Sequence, residues 1–93
     1  MSNQPNILKM LDLSTKHLPE ELGQDLGGVE GVIAHEFTYG WLLWVPTVDP
    51  GAREAVEREE ILRIFDYAER HDCTYVLFDR GAGTVDDLPT WNW

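Results

Sequence analysis

This chain is poor in cysteine, in positive charge and in long apolar runs. Cys73 is its only cysteine, so no intramolecular disulfide can form, which agrees with a reducing compartment. The longest uninterrupted apolar run, Trp41–Pro46, falls far short of the roughly 20 residues that cross a bilayer as a helix. The start, MSNQPNILKM, lacks the basic stretch and long apolar core of a secretory signal. The expectation is a cytoplasmic protein that does not enter a membrane. Seven Lys and Arg face seventeen Asp and Glu, a formal net charge of −10. Such a surface repels DNA, RNA and anionic lipid, so direct nucleic-acid binding is not expected. It suits a cationic partner, and equally serves solubility alone.

What is present is enough for one core. Ninety-three residues make a single α+β domain over 1–93, without room for a second lobe. Hydrophobic residues are 43% of the chain and four are tryptophan, so folding is expected and disorder is not. Each indole can bury about 150–250 Å², a large contribution to a small core.

Residues 1–6 read as a polar, frayed start, and Ile7–Leu13 as a strand. Leu18, Leu22 and Leu26 recur every fourth residue, which predicts a short helix over about 18–26. Pro19 suits its first turn, Glu20 and Glu21 suit its dipole, and Gly27-Gly28 suit a left-handed stop. Gly23 weakens this helix by about 1 kcal/mol relative to alanine, so packing must hold it. Residues 31–36 and 41–45 read as a hairpin around Phe37-Thr38-Tyr39-Gly40, with Gly40 available for a positive φ. Trp41, Leu43 and Val45 alternate with Leu42 and Trp44. Both faces of this strand are apolar, so it should be central or covered on both sides.

Asp49-Pro50-Gly51 predicts a turn. A long helix over 53–71 follows, with Ile61, Ile64, Phe65 and Ala68 as its buried stripe. Glu54/Arg58, Glu59/Arg63 and Asp66/Arg70 are its expected i,i+4 pairs. Thr74–Phe78 reads as the fourth strand and Asp79–Gly83 as a turn. The tail 84–93 ends on Trp91 and Trp93 and is expected to dock. The order is strand, helix, strand, strand, helix, strand. This β-α-β-β-α-β pattern is the split-βαβ or ferredoxin-like arrangement, an antiparallel sheet with two helices on one face. The tail is then free to cover the other face.

Motifs for chemistry are sparse. His71-x-Cys73 offers two metal ligands where a structural zinc needs four, and His17 and His35 lack the spacing to complete them. Cys73 precedes an apolar strand, so burial is a better reading than a thiol nucleophile. Glu59-Glu60 point to different sides of a helix and form no acid/base pair. Gly81-Ala82-Gly83 is too short for a phosphate loop. No metal, cofactor or catalytic residue is expected.

The acids are the remaining signal. Glu20, Glu21 and Asp25 cluster on the first helix, with Glu30 and Glu36 close by. Asp79, Asp86 and Asp87 gather in the C-terminal third with Asp72. An ordered acidic surface of this kind can occupy a Lys/Arg groove in place of phosphates. An ordinary solvated face has the same composition.

The segment Phe37-Thr38-Tyr39-Gly40-Trp41-Leu42-Leu43-Trp44-Val45-Pro46 and the ending Asp86-Asp87-Leu88-Pro89-Thr90-Trp91-Asn92-Trp93 resemble a family of short bacterial proteins of unknown function carried on phages, plasmids and genomic islands. In that family a Tyr-Gly-Trp hairpin precedes a helix and a strand, and the chain closes on Asp-Leu-Pro and a terminal Asp-Trp. Here Asn92 replaces the acid. The resemblance covers about residues 31–93 and supplies no catalytic residues. It implies a mobile-element setting, in which small acidic proteins inhibit host defence, anti-CRISPR and anti-restriction proteins among them.

The leading expectation is therefore a non-enzymatic inhibitor. It would bind the basic, nucleic-acid-binding surface of a host protein or nucleoprotein complex, such as a CRISPR effector. Its binding residues would be Glu20, Glu21, Asp25, Glu30, Glu36, Asp79, Asp86 and Asp87. The alternative is an accessory module that binds a host protein through its aromatic face. An enzyme with an unrecognised site ranks third.

Overall fold

A computed structural model describes residues 4–47 and 50–93. The polar start at 1–6 and the turn at Asp49-Pro50-Gly51 therefore lie partly outside the described residues. Four strands form one sheet: β1 (Met10–Ser14), β2 (Ala34–Phe37), β3 (Gly40–Trp44) and β4 (Tyr75–Asp79). The helices are α1 (Glu20–Gln24), α2 (Pro50–Glu54) and α3 (Glu59–Arg70), and short 3₁₀ turns at Thr15–His17 and Leu26–Gly28 flank α1.

The α+β class holds, but the sheet is mixed. Its order is β1-β4-β3-β2, with β1 parallel to β4 and the other two pairs antiparallel. The uniformly antiparallel split-βαβ sheet does not appear, and the reason lies in the expected long helix. A continuous helix over 53–71 would run about 28 Å and deliver the chain to the far end of the sheet. The helix is interrupted between α2 and α3, so the chain goes out and comes back. Arg53 sits beside Asp66 and Glu69 in the last turns of α3, whereas Arg58 begins that helix beside Glu60. The return places β4 against the end of β3 from which the chain left, where the Val45 N–H donates to the Thr74 carbonyl at 2.8 Å.

Burial explains the interruption. At about 100° per residue, one continuous helix would put Glu54 and Glu57 on the Ile61–Ala68 stripe and turn Val56 to solvent. The break reverses this: Val56 enters the core while Glu54 and Glu57 are exposed. Gly31, at φ 82°, lets the backbone of Ala55 approach more closely than a Cβ would allow. It is the one glycine with positive φ among the described residues. Gly40 does not need that freedom. Its bare Cα instead lets β3 lie against the Phe78 carbonyl, where a side chain would collide. Nor do Gly27 and Gly28 form a left-handed stop, since Leu26–Gly28 close as a 3₁₀ turn.

One face of the sheet forms the core. Leu13, Leu43, Val76 and Phe78 pack against Leu22 of α1 and against Ile61, Ile64, Phe65 and Ala68 of α3, with Trp41 in the same cluster. The expected ion pairs are mostly re-partnered by the break. Only Glu59–Arg63 forms, at 3.6 Å. Arg58 pairs with Glu21 and Glu60, and Arg53 with Asp66 and Glu69. Arg70 lies over the Tyr67 ring.

The tail docks, but on the helical side of the sheet. His17 is 1% exposed and grips it with both ring nitrogens. Nδ1 donates to the Pro89 carbonyl and Nε2 accepts the Val85 N–H, each at 2.9 Å. This pattern requires the neutral ring with its proton on Nδ1. Leu88 is buried, the Trp91 N–H donates to the Lys16 carbonyl, and Trp93 Nε1 donates to the Leu18 carbonyl at 2.8 Å. Gly23 has a use that helix propensity hides: a Cβ there would overlap the Trp93 ring, and its carbonyl accepts Trp41 Nε1 at 2.9 Å.

The clasp makes a direct prediction. Replacing the buried His17 by alanine leaves the part-buried Val85 N–H and Pro89 carbonyl without their partner and opens a cavity, at a cost of about 2–3 kcal/mol. The melting temperature should fall by about 10–20 °C in a domain of this size. Deleting residues 88–93 should lower it as well. Calorimetry with an unchanged melting temperature for both variants would refute docking as a source of stability.

Candidate binding surfaces

Among the described residues no helix packs on the second face of the sheet, although Ser14 at its end is buried. Strand alternation and pairing arrange this face in three rows. The first is Met10, Tyr75, Trp44 and Ile33; Ile33 joins it because its carbonyl accepts the Trp44 N–H at 2.9 Å. The second is Asp12, Leu77, Leu42 and His35, and the third is Ser14, Asp79, Gly40 and Phe37. Met10 is 50% exposed and Ile33 53%. With Leu8 and Leu42 they line an apolar groove of about 430 Å³ floored by Trp44 and Tyr75. Exposed apolar side chains are ordinary when scattered; here they are contiguous.

The acids singled out by sequence separate into several places. Glu21, Asp25 and Glu30 line one pocket of about 360 Å³ together with Glu57, with Arg58 at its edge. Arg58 donates to Glu21 at 2.8 Å and to Glu60, and this hydrogen bond holds the Glu60 carboxyl below its ordinary range. Glu20 is exposed in the first turn of α1. Glu36 borders a different cleft, of about 410 Å³, with Arg80 and Trp93. Asp79 closes the turn after β4, its Oδ1 accepting the Gly81 N–H at 2.8 Å. Asp86 and Asp87 are exposed on the tail. The eight acids are thus spread over α1 and the pocket beside it, the cleft at Glu36, the turn after β4 and the tail.

The histidines and the cysteine are also placed. Cys73 is buried, and its thiol donates to the His71 carbonyl at 3.5 Å. The His71 ring meets Tyr67 edge-on at 4.7 Å between centroids. Among the described residues no three His, Cys, Asp or Glu side chains gather to hold a metal ion. No described helix is long and apolar enough to cross a membrane.

The match to known proteins follows the fold's own limits. Residues 10–93 match the model of a family of unknown function, the DUF5983 C-terminal domain. The chain belongs to this family. The match runs from the first residue of β1 to Trp93 and so covers the tail. No curated protein and no solved structure matches the chain.

Two features of this family member escaped the sequence. His17 carried no spacing that marked it as the tail's anchor. The open face did leave a sign, the two-sided apolar pattern of 41–45, but which face lacked cover depended on where the tail went.

Tyr67 tests the placement of Asp87. Burial, reinforced by the nearby Asp87 carboxylate, pushes the Tyr67 phenol up from its ordinary value. The folded pKa is therefore above the unfolded one. The associated stability is complete below about pH 10 and is lost as pH rises through the folded value. Absorbance titration should show one tyrosine ionising late, and Asp87→Asn should move that step to lower pH. A step unmoved by the substitution would remove Asp87 from the Tyr67 environment.

Proposed function

We propose that this chain is a protein-binding module, without catalysis of its own, that engages a bacterial host protein through the open face of its sheet. One observation carries the reading. The central strands β3 and β4 are apolar on both sides, and helices and tail cover only one. Burying a large apolar side chain stabilises by about 1.5–3 kcal/mol, so Leu42, Trp44, Met10 and Ile33 together can drive association. The setting that fits is the cytoplasm of a bacterium carrying a mobile element.

The test compares the parent chain with Met10→Gln plus Ile33→Gln. Both side chains are half-exposed, so the fold should persist. A host partner captured by the parent from a bacterial lysate should be lost by the variant, by at least about tenfold in quantitative mass spectrometry. Equal capture by both would overturn the reading.

The pocket rimmed by Glu21, Asp25, Glu30 and Glu57 supports a second reading. Here the chain is an acidic inhibitor of anti-CRISPR type, which blocks target DNA by occupying the basic channel of a defence complex. Exposed ion pairs each contribute only about 0–1 kcal/mol, so charges must be removed in groups. Glu20, Glu21 and Asp25 changed together to their amides should weaken inhibition and its salt dependence. The matched change at Asp79, Asp86 and Asp87 should have the smaller effect. Full inhibition by both sets, with the fold intact, would eliminate acidic mimicry.

A further inference from the structure

Strands buried on both faces read as near-continuous apolar runs, whereas a face turned to water is ordinarily polar. Here β4 pairs parallel with β1, and its Tyr75 and Leu77 lie on the open side beside Leu42 and Trp44 of β3. The charges on that side are all of one sign. Asp12 stands opposite Leu77, and Asp79 lies one step further along the same face, making the two carboxylates diagonal neighbours across β1 and β4. Neither joins an ion pair among the described residues, and the three rows contain no Lys or Arg. The face is therefore apolar at one end and anionic at the other.

We propose that this face takes an amphipathic helix of another protein, apolar along one stripe and basic on the flank that lies toward Asp12 and Asp79. The proposal rests on the reading of the open face as the binding surface, and adds the chemistry of the occupant. The dimensions agree. Four strands about 4.8 Å apart make the uncharged row about 15 Å wide, which about ten residues of helix cross in three turns. Such a helix would complete a helix–sheet–helix sandwich. A neutral apolar helix would strip water from Asp12 and Asp79 without supplying a cation. A second copy of this chain would bring a further net charge of −10 and two more carboxylates to the same face, against like-charge repulsion.

The probe is a synthetic amphipathic helix of leucine and lysine, titrated into the full chain by calorimetry and tryptophan fluorescence. Three peptides control it: the same composition scrambled to destroy the apolar stripe, a leucine–glutamine helix and a leucine–glutamate helix. The leucine–lysine helix should bind about tenfold or more tighter than each. Met10→Gln plus Ile33→Gln should weaken it about tenfold, and Asp12→Asn plus Asp79→Asn about three- to tenfold, the latter difference fading in high salt. Circular dichroism checks each fold, and Ile33→Ala serves if the double glutamine variant is unstable.

Equal binding of the leucine–glutamine helix would overturn the basic partner and leave the open-face reading standing. Equal binding of the scrambled peptide, or of the leucine–lysine helix to the glutamine variant, would overturn both, since charge alone would then act. With no peptide bound, sedimentation decides. A dimer dispersed by Met10→Gln plus Ile33→Gln would make a second copy the occupant and overturn the proposal. A monomer would overturn the proposal and the open-face reading together.

Discussion

Two central strands that are apolar on both faces set the terms for this fold. β3 and β4 present Trp41, Leu43, Val76 and Phe78 to one side and Leu42, Trp44, Tyr75 and Leu77 to the other. Each side needs a layer against it, because apolar surface left in water forgoes about 25 cal/mol per Å². The chain spends α1, α3, Val56 and Leu88 on one side. The side that remains open is the feature on which the proposed binding function rests.

The covered side is held by polar contacts at its margin. His17 and Leu18 join the start of the chain to its last residues, through both nitrogens of one imidazole and the indole N–H of Trp93, while Gly23 accepts the indole N–H of Trp41 from β3. Each of these groups would be costly to bury without a partner, and among the described residues no buried side-chain polar atom lacks one. The tail is therefore committed to the helical side. The same commitment that completes the core leaves the other face without a helix or tail among the described residues.

The excess of acid is real, but the fold distributes it: a pocket by α1, a cleft by Glu36, a turn at Asp79, and tail acids of which Asp87 lies near Tyr67. Arg58 and Arg53 are drawn into ion pairs with Glu21, Glu60, Asp66 and Glu69. Among the described residues Asp12 and Asp79 on the open face join no ion pair, and the proposed preference for a basic partner rests on them.

The sequence by itself determined the α+β class, the four strands to within a few residues, the buried stripe Ile61, Ile64, Phe65 and Ala68, and the two-sided apolar character of 41–45. These follow from local periodicity, which depends only on neighbours along the chain. Tertiary structure alone decided the rest. The break between Glu54 and Glu59 is a case between the two: the helical wheel already put Glu54 and Glu57 on the buried side, but only packing of Val56 and the approach of Ala55 to Gly31 turned that conflict into a reversal of the chain. That reversal made β4 antiparallel to β3 and brought β1 alongside it. The seat of Trp93 on Gly23 and the grip of His17 on Val85 and Pro89 join residues far apart in the chain. No periodicity encodes such contacts, since they exist only once the sheet has its order.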